Sequence, residues 1–292
     1  MKPLPLIDQD RVVEDPADRN TLTQRYTQRA VAFLEKHRSR PFFLYLAHAM
    51  PGSTPRPFAS EGFQGRSKRG AWGDAVEELD WSTGEIVAAL RRLGLERDTV
   101  VVWTNDNGAP RVDGRSGSNR PLGGWGYTIA EGGQRVPCIA WAPGRIPAGR
   151  TCGELVTLMD WLPTFAGLTG ARTGKFAIDG RDLGPLLAGK KGARPPHEAF
   201  FYYYGPQLQA VRSGRWKLVL PLAQRMANLQ GKLEPGGPGR LYDVVADPGE
   251  TADRFPGEPT VVARLSALAE KARAELGDLD RRGSGQRPAG RR

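Results

Sequence analysis

Histidine and cysteine are the scarcest chemistry-bearing residues of this chain, three and two in 292. The cysteines, Cys138 in Val136-Pro137-Cys138-Ile139-Ala140 and Cys152 in Arg150-Thr151-Cys152-Gly153, form no Cys-x-x-Cys and join no Cys/His cluster. They offer no zinc site and settle little about redox compartment. Cys138 sits in a strand-like run and reads as a small buried hydrophobe; Cys152 reads as a loop residue ahead of a helix. No apolar run approaches the length of a membrane span, and the start Met1-Lys2-Pro3-Leu4-Pro5-Leu6 lacks the apolar core of a signal peptide. Internal repeats are absent. Acidic residues are outnumbered, 32 against 42 Lys and Arg, for a net charge of +10. Such an excess raises the question of a nucleic-acid partner, but the cations are scattered, and the one dense run, 281–292, is broken by Gly, Ser and Pro. It reads as a disordered basic tail, and no nucleic-acid partner is expected.

With 39% apolar residues over 292 positions, the chain can bury a sizeable core. A Pro- and Asp-rich stretch over 1–18, without period and read as a loop, leads to a helix, with Thr21 and Gln24 in a capping-box pattern and Leu22, Tyr26, Ala30, Phe33 and Leu34 on its apolar face. A buried strand is expected over Phe42-Phe43-Leu44-Tyr45-Leu46-Ala47. After a turn-rich segment, a second helix opens at Asp74 and carries Val76, Leu79, Thr83, Ile86, Leu90 and Leu93 as its inward stripe. A strand ending at Asp106 follows, then a Gly-rich loop from Gly108 to Gly133, a strand from Val136 to Trp141, and a short helix capped by Asp160 with Leu162 and Phe165 inward. This strand, loop, helix, strand rhythm predicts an α/β fold with a mainly parallel sheet. Beyond 190 the texture changes to short strands, Phe200–Tyr204, Leu208–Arg212 and Trp216–Leu220, and a helix around Val261, Leu265, Leu268, Ala272 and Leu276. These predict a small antiparallel sheet packed with a helix. The expected domains are thus 1–190, 191–280 and the tail 281–292.

The run Thr99-Val100-Val101-Val102-Trp103-Thr104-Asn105-Asp106-Asn107-Gly108 carries the sharpest chemical signal. A β-branched strand delivers an acid and an amide into a glycine turn, where α/β sheets gather their ligands. Taken alone, Asp106 and Asn107 support two readings equally: oxygen donors for a hard cation, or a turn in which both side chains bond neighbouring amides.

The landmarks Pro41 to His48, Gly73-Asp74 through Glu77-Glu78-Leu79-Asp80, Thr104 to Gly108, Glu131-Gly132-Gly133-Gln134-Arg135-Val136-Pro137, Pro143-Gly144, Asp160 to Thr164, Leu241-Tyr242-Asp243 and Asp247-Pro248-Gly249-Glu250 occur in an order that resembles the sulfatase family of the alkaline-phosphatase superfamily. The resemblance spans nearly the whole chain. It implies a partial alkaline-phosphatase-like sandwich with a smaller carboxy-terminal sheet, and an arylsulfatase-type hydrolase of sulfate esters, either small molecules or sulfated carbohydrates. It further implies a formylglycine nucleophile made from a cysteine in a Cys-x-Pro-Ser-Arg motif, and a calcium ion held by three Asp and one Asn. Asp106 and Asn107 match the acid and amide of the second half of that metal site. Full-length relatives of this kind are often periplasmic or secreted; the compartment of this chain is not assigned.

Several family elements have no counterpart. No Cys-x-Pro-Ser-Arg or Ser-x-Pro-Ser-Arg occurs, and the first two metal aspartates are missing, so the chain is expected to be inactive alone and to need a separate amino-terminal half. A degenerate sulfatase-like protein that binds an anion, a carbohydrate or a partner is the alternative. His48 matches the first histidine of the family's Ala-His segment, with substrate binding or a hydrogen-bonded strand-end role open to it. The second, active-site histidine is replaced by Gly52, and the family lysine is absent where Trp125 and Gly126 stand. Lys68, Arg69, Arg115 and Arg120 are nearby cations that could compensate. His37 and His197 read as surface residues, Arg135 as an ion-pair residue, and the aromatic run 200–204 as a packed strand rather than a sugar platform.

Overall fold

The computed structural model describes residues 4–52, 54, 56–111, 117–175, 177–227, 231–279 and 281–287. They cluster into two compact units, residues 1–101 with 109–118, and residues 102–108 with 119–292, so the sequence boundary near 190 falls inside the second. Arg115 lies outside the described residues. Among the described residues no helix is long and apolar enough to cross a membrane.

The first unit opens with an antiparallel hairpin of β1 (Leu6–Asp8) and β2 (Arg11–Glu14), followed by helices α1 (Leu22–His37) and α2 (Gly70–Arg92). The capping box expected at Thr21 does not form. Asp18 Oδ1 accepts the Asn20 amide at the head of a 3-10 turn over Arg19–Thr21, Thr21 Oγ1 donates to Asp18 O, and Gln24 donates instead to Ser60 Oγ at 2.9 Å. Helix α2 also corrects the expected stripe. Val76 is exposed, whereas Asp74, Glu78 and Ser82, spaced by four, are buried with Ala75, Ala89 and Leu90. Each polar group is held inside by a donor or acceptor: Asp74 takes the Gly65 and Ser67 amides, Glu78 Oε2 the Ser60 amide, and Ser82 the Thr27 hydroxyl of α1 at 2.6 Å. The run 42–47 is not a buried strand. Its residues alternate between half-buried and exposed with the period of an extended chain, and Phe43 and Tyr45 are 71% and 81% exposed.

The second unit contains β3 (Val101–Thr104) hydrogen-bonded beside β4 (Cys138–Trp141), with α3 (Glu131–Gln134) between them in sequence. Cys138 is exposed rather than buried, because among the described residues β4 is flanked by β3 alone; desolvation by its surroundings nevertheless raises its thiol pKa against a lowering hydrogen bond from Thr104. Helix α4 (Trp161–Thr169) follows a 3-10 turn, with Asp160 Oδ2 accepting the Thr157 amide at 2.7 Å. Leu162, expected inside, is 59% exposed; the buried position of this helix is Thr164, whose hydroxyl accepts the Leu183 amide just before α5 (Gly184–Leu187).

Four antiparallel strands build the carboxy-terminal sheet: β5 (Phe200–Tyr204), β6 (Gln207–Ser213), β7 (Trp216–Val219) and β10 (Arg240–Asp243), in the order β10-β7-β6-β5. A hairpin of β8 (Leu222–Met226) and β9 (Leu233–Gly237) adjoins it. Helix α6 (Pro259–Leu276) lays Leu265, Ala269 and Ala272 on Leu208, Val211, Leu218 and Leu241, all of them buried. That apolar layer is the main core, and its burial is the dominant stabilising term of the unit. Residues 281–287, expected as disordered tail, fold back over the end of α6. There the Ser284 and Gly285 amides donate to the last-turn carbonyls of Ala274 and Glu275, which lack helical partners.

Candidate functional site

Strand β3 ends at Thr104, and the chain then turns through Asp106, Asn107 and Gly108. Asp106 Oδ1 accepts the Asn107 amide at 2.8 Å, and the Asn107 side-chain nitrogen donates to Gly108 O at 2.9 Å. Both contacts belong to the turn itself. They leave Asp106 Oδ2 and Asn107 Oδ1 as oxygens with no bond among the described residues, on an exposed and a half-buried residue. Two hard oxygens on one turn suit a calcium ion in kind, but they supply only part of a shell of six or more. Among the described residues no three His, Cys, Asp or Glu side chains gather to complete one.

What fixes this turn is main chain against main chain. The Gly108 amide donates to Gly133 O at 3.1 Å, the Gly132 amide to Gly123 O at 2.7 Å, and the Gly123 amide to Pro248 O at 3.0 Å. A Cβ on Gly108 would stand 1.7 Å from Gly132 O, and one on Gly123 would stand 2.3 Å from Gly249 O. Only glycine allows such approach. Trp125 and Gly126 lie in the same loop, Gly126 buried and Trp125 O accepting the Thr128 hydroxyl at 2.6 Å.

Beneath that loop is a buried charge cluster. Glu131, the first residue of α3, has no exposed surface. Its Oε1 accepts the Tyr202 hydroxyl at 2.6 Å and faces Lys217 Nζ at 3.2 Å, while its Oε2 accepts from Arg212 at 2.6 Å. Lys217 is fully buried too; its three ammonium hydrogens face Ile129 O at 2.6 Å, Glu250 Oε1 at 2.9 Å and Glu131, and its charge lies 4.3 Å from the Tyr202 ring centre. Glu250 Oε2 accepts the Glu131 amide at 2.7 Å. Burial pushes the Glu131 carboxyl pKa up, but Lys217, Arg212 and the Tyr202 hydroxyl outweigh it and the pKa is lowered. The Tyr202 phenol is raised well above its usual value, by burial first and by Glu131 second.

Sequence reasoning missed this cluster. Arg135, expected to form the ion pair, is exposed, and Arg212 pairs with Glu131 instead, since β6 carries its guanidinium underneath α3. One signal was available. In the β6–β7 register Arg212 stands opposite Lys217, and like charges facing each other across strands call for a carboxylate between them. The aromatic run is a packed strand, as expected, with Tyr202 buried.

His48 lies in the first unit. Its Nε2 is 3.3 Å from Ser82 Oγ, its Nδ1 is buried with no partner among the described residues, and desolvation lowers its pKa, which favours the neutral ring. Gly52 has φ +61 and follows Pro51 in the same unit. Lys68, Arg69 and Arg120 are exposed. His197, expected at the surface, is instead largely enclosed, with Nε2 2.7 Å from the fully buried Asp160; His37 is half-buried and bonds Phe33 O through Nδ1.

The sequence matches the Sulfatase family over residues 6–171, more than half of the chain. This chain belongs to the sulfatase family. The steryl-sulfatase of Mus musculus is 38% identical over 300 residues, covering 93% of the sulfatase chain described here and 48% of the mouse protein. The N-acetylgalactosamine-6-sulfatase of Canis lupus familiaris is 43% identical over 202 residues, covering 67% of this chain and 38% of the relative. A solved structure from work on the metabolism of multiple glycosaminoglycans by Bacteroides thetaiotaomicron superposes with a TM-score of 0.74 at 26% identity, covering 91% of this chain and 59% of the other. The chain therefore spans about half the length, or less, of the curated relatives it matches. With its mixed α/β elements and carboxy-terminal antiparallel sheet, this sulfatase chain carries the alkaline-phosphatase-like fold in part.

Proposed function

We propose that this chain is the portion of an arylsulfatase-type sulfuric ester hydrolase that bears half of a calcium seat, with a sulfate-ester small molecule or a sulfated carbohydrate as substrate. The observation that carries this reading is the Asp106–Asn107 turn, pinned from below by Gly132 and Gly133 of the Glu-Gly-Gly landmark. The substrate class is supported by relatives whose names join sulfatase to a sterol and to an amino sugar.

Calcium, when bound, would neutralise sulfate charge. Asp106 Oδ2 and Asn107 Oδ1 are the donors this chain contributes, one anionic and one neutral. The bond from the Asn107 nitrogen to Gly108 O sets which end of that amide remains an acceptor. Gly108, by tolerating no side chain, holds both at fixed height on the loop. The nucleophile must come from elsewhere, since Cys138 precedes Ile139-Ala140-Trp141 and Cys152 precedes Gly153-Glu154-Leu155. An amino-terminal sulfatase segment, on the same polypeptide or on a separate one, would supply it.

The test is a sulfate-ester assay with 4-nitrophenyl sulfate, with and without calcium, on residues 1–292 and on the same chain joined to an amino-terminal sulfatase segment bearing Cys-x-Pro-Ser-Arg. Residues 1–292 are expected to show no turnover and the joined chain to show calcium-dependent turnover. Turnover by residues 1–292 alone overturns the account of the nucleophile. A second reading, a degenerate protein that binds an anion, a carbohydrate or a partner without turnover, is favoured by Gly52 and by the loop at Trp125-Gly126, where the family's histidine and lysine are missing. Each such donor is worth roughly two to three decades in rate. Ligand binding without turnover by the joined chain selects it.

A further inference from the structure

We infer that Lys217, on strand β7 of the carboxy-terminal sheet, is the positioning residue for the Asp106–Asn107 turn, acting through Glu131 and Glu250 on the glycine loop that carries it. The inference rests on the reading of that turn as the functional seat, but its geometry stands apart from any activity.

Every link is a short contact within one compact unit. Lys217 Nζ has three acceptors, one on each of the segments that converge here: Ile129 O in the loop, Glu131 at the start of α3 and Glu250 after the Asp-Pro-Gly turn. Glu250 in turn takes the Glu131 amide, so one ammonium and two carboxylates fasten residues 129–131 to residues 248–250. The next residues along each segment make the glycine contacts: Gly132 meets Gly108 and Gly123, Gly133 O takes the Gly108 amide, and Gly123 rests on Pro248 and Gly249. Gly108 immediately follows Asn107. A displacement of Lys217 thus reaches the turn through two peptide units and one hydrogen bond, with no flexible side chain interposed after Glu131.

Burial makes this fastening stiff. Glu131 and Lys217 are without exposed surface, and removing one partner of such a buried group leaves the other uncompensated in a low-dielectric site. Arg212 would still face Glu131, but Glu250 and Ile129 O would lose their ammonium. Charge balance and positioning are therefore separable by mutation. A neutral Met at 217 unbalances the cluster, and a second change, Glu131→Gln, restores the balance without restoring the bond to Ile129 O or to Glu250.

The test is amide hydrogen exchange on the full chain. In Lys217→Met the Gly108, Gly123 and Gly132 amides should exchange roughly ten- to hundredfold faster, while Val211 and Leu218 in the β6–β7 ladder keep their protection. In Lys217→Met/Glu131→Gln the melting temperature should recover and the fast exchange at Gly108 should persist, a signature that a purely structural charge would not give. Glu250→Gln, which keeps Lys217 and Glu131 together, serves if Lys217→Met does not fold, and should speed exchange at Gly108 and Gly123. Uniform loss of protection across the sheet in Lys217→Met, or unchanged exchange at Gly108 in Glu250→Gln, overturns the inference. Because the readout is exchange, it fails or holds independently of sulfate-ester turnover.

Discussion

His197 Nε2 lies 2.7 Å from Oδ1 of Asp160, a carboxylate without exposed surface that also accepts the Arg181 and Thr157 amides at 2.7 Å each. The carboxylate is the hub, since it holds three donors from three segments, whereas the histidine serves it alone. Asp160→Ala should therefore cost about 3–5 kcal/mol and His197→Ala about 1–3 kcal/mol in denaturant unfolding. Equal costs would contradict the hub assignment.

Glu131 sets an acid limit. Its folded-state pKa lies below the ordinary 4.5, so the carboxylate stabilises the fold fully above that value and loses this contribution as pH falls through the depressed one. Melting temperature should thus fall with pH below 4.5, and Glu131→Gln should flatten that slope while lowering the plateau above it. Half-buried Asp243 and Asp247 and exposed Glu270 also have lowered pKa values, so the comparison belongs at high salt, where solvent-facing pairs are screened. An unchanged slope in the Gln variant would refute the assignment.

Two glycines should respond in opposite directions. Gly108→Ala forces a methyl to within 1.7 Å of Gly132 O and should destabilise by about 2 kcal/mol or more. Gly84, inside α2 with nothing within 4 Å of its added Cβ, should gain about 0.5–1 kcal/mol on change to Ala. Thermal unfolding of the two variants checks both signs.

In the chain joined to its nucleophile segment, Asp106→Ala should lower turnover by roughly two to three decades and Asn107→Ala by less, because only the first removes charge. Raising calcium should restore part of the Asn107→Ala activity. Equal losses, unresponsive to calcium, would remove the cation reading of the pair.

Phe43 and Tyr45 present large aromatic faces to solvent. The double change Phe43→Ser/Tyr45→Ser should reduce concentration-dependent light scattering with little effect on stability, within about 0.5 kcal/mol. Unaltered scattering would show that association runs through another surface.

Much of the fold was legible in residue pattern, above all where apolar periodicity met a single neighbour. The α6 positions Leu265 and Ala272 and the strands over 200–220 were read correctly because helix and sheet meet in one apolar layer. Pattern failed where burial was polar. The Asp74, Glu78 and Ser82 stripe is inward because backbone amides and a hydroxyl from other segments donate to each of its side chains, which no hydrophobicity count registers. It failed again where apolar-looking runs lie open to solvent, as at Cys138 in a two-stranded sheet and along 42–47. At the site, the Asp106–Asn107 pair was readable as a turn with donors, but its fastening by Lys217 was not, since the partners lie 88 residues away in the case of Ile129.

The contact of Gly108 with Gly132 has a bearing on which residues of this loop can change. The atoms nearest a Cβ at Gly108 and at Gly123 are main-chain carbonyls, so the height and tilt of the acid and amide are set by backbone curvature. Side chains around the rim are then free of that duty. Substitution of rim side chains therefore leaves the Asp106 and Asn107 oxygens where they are.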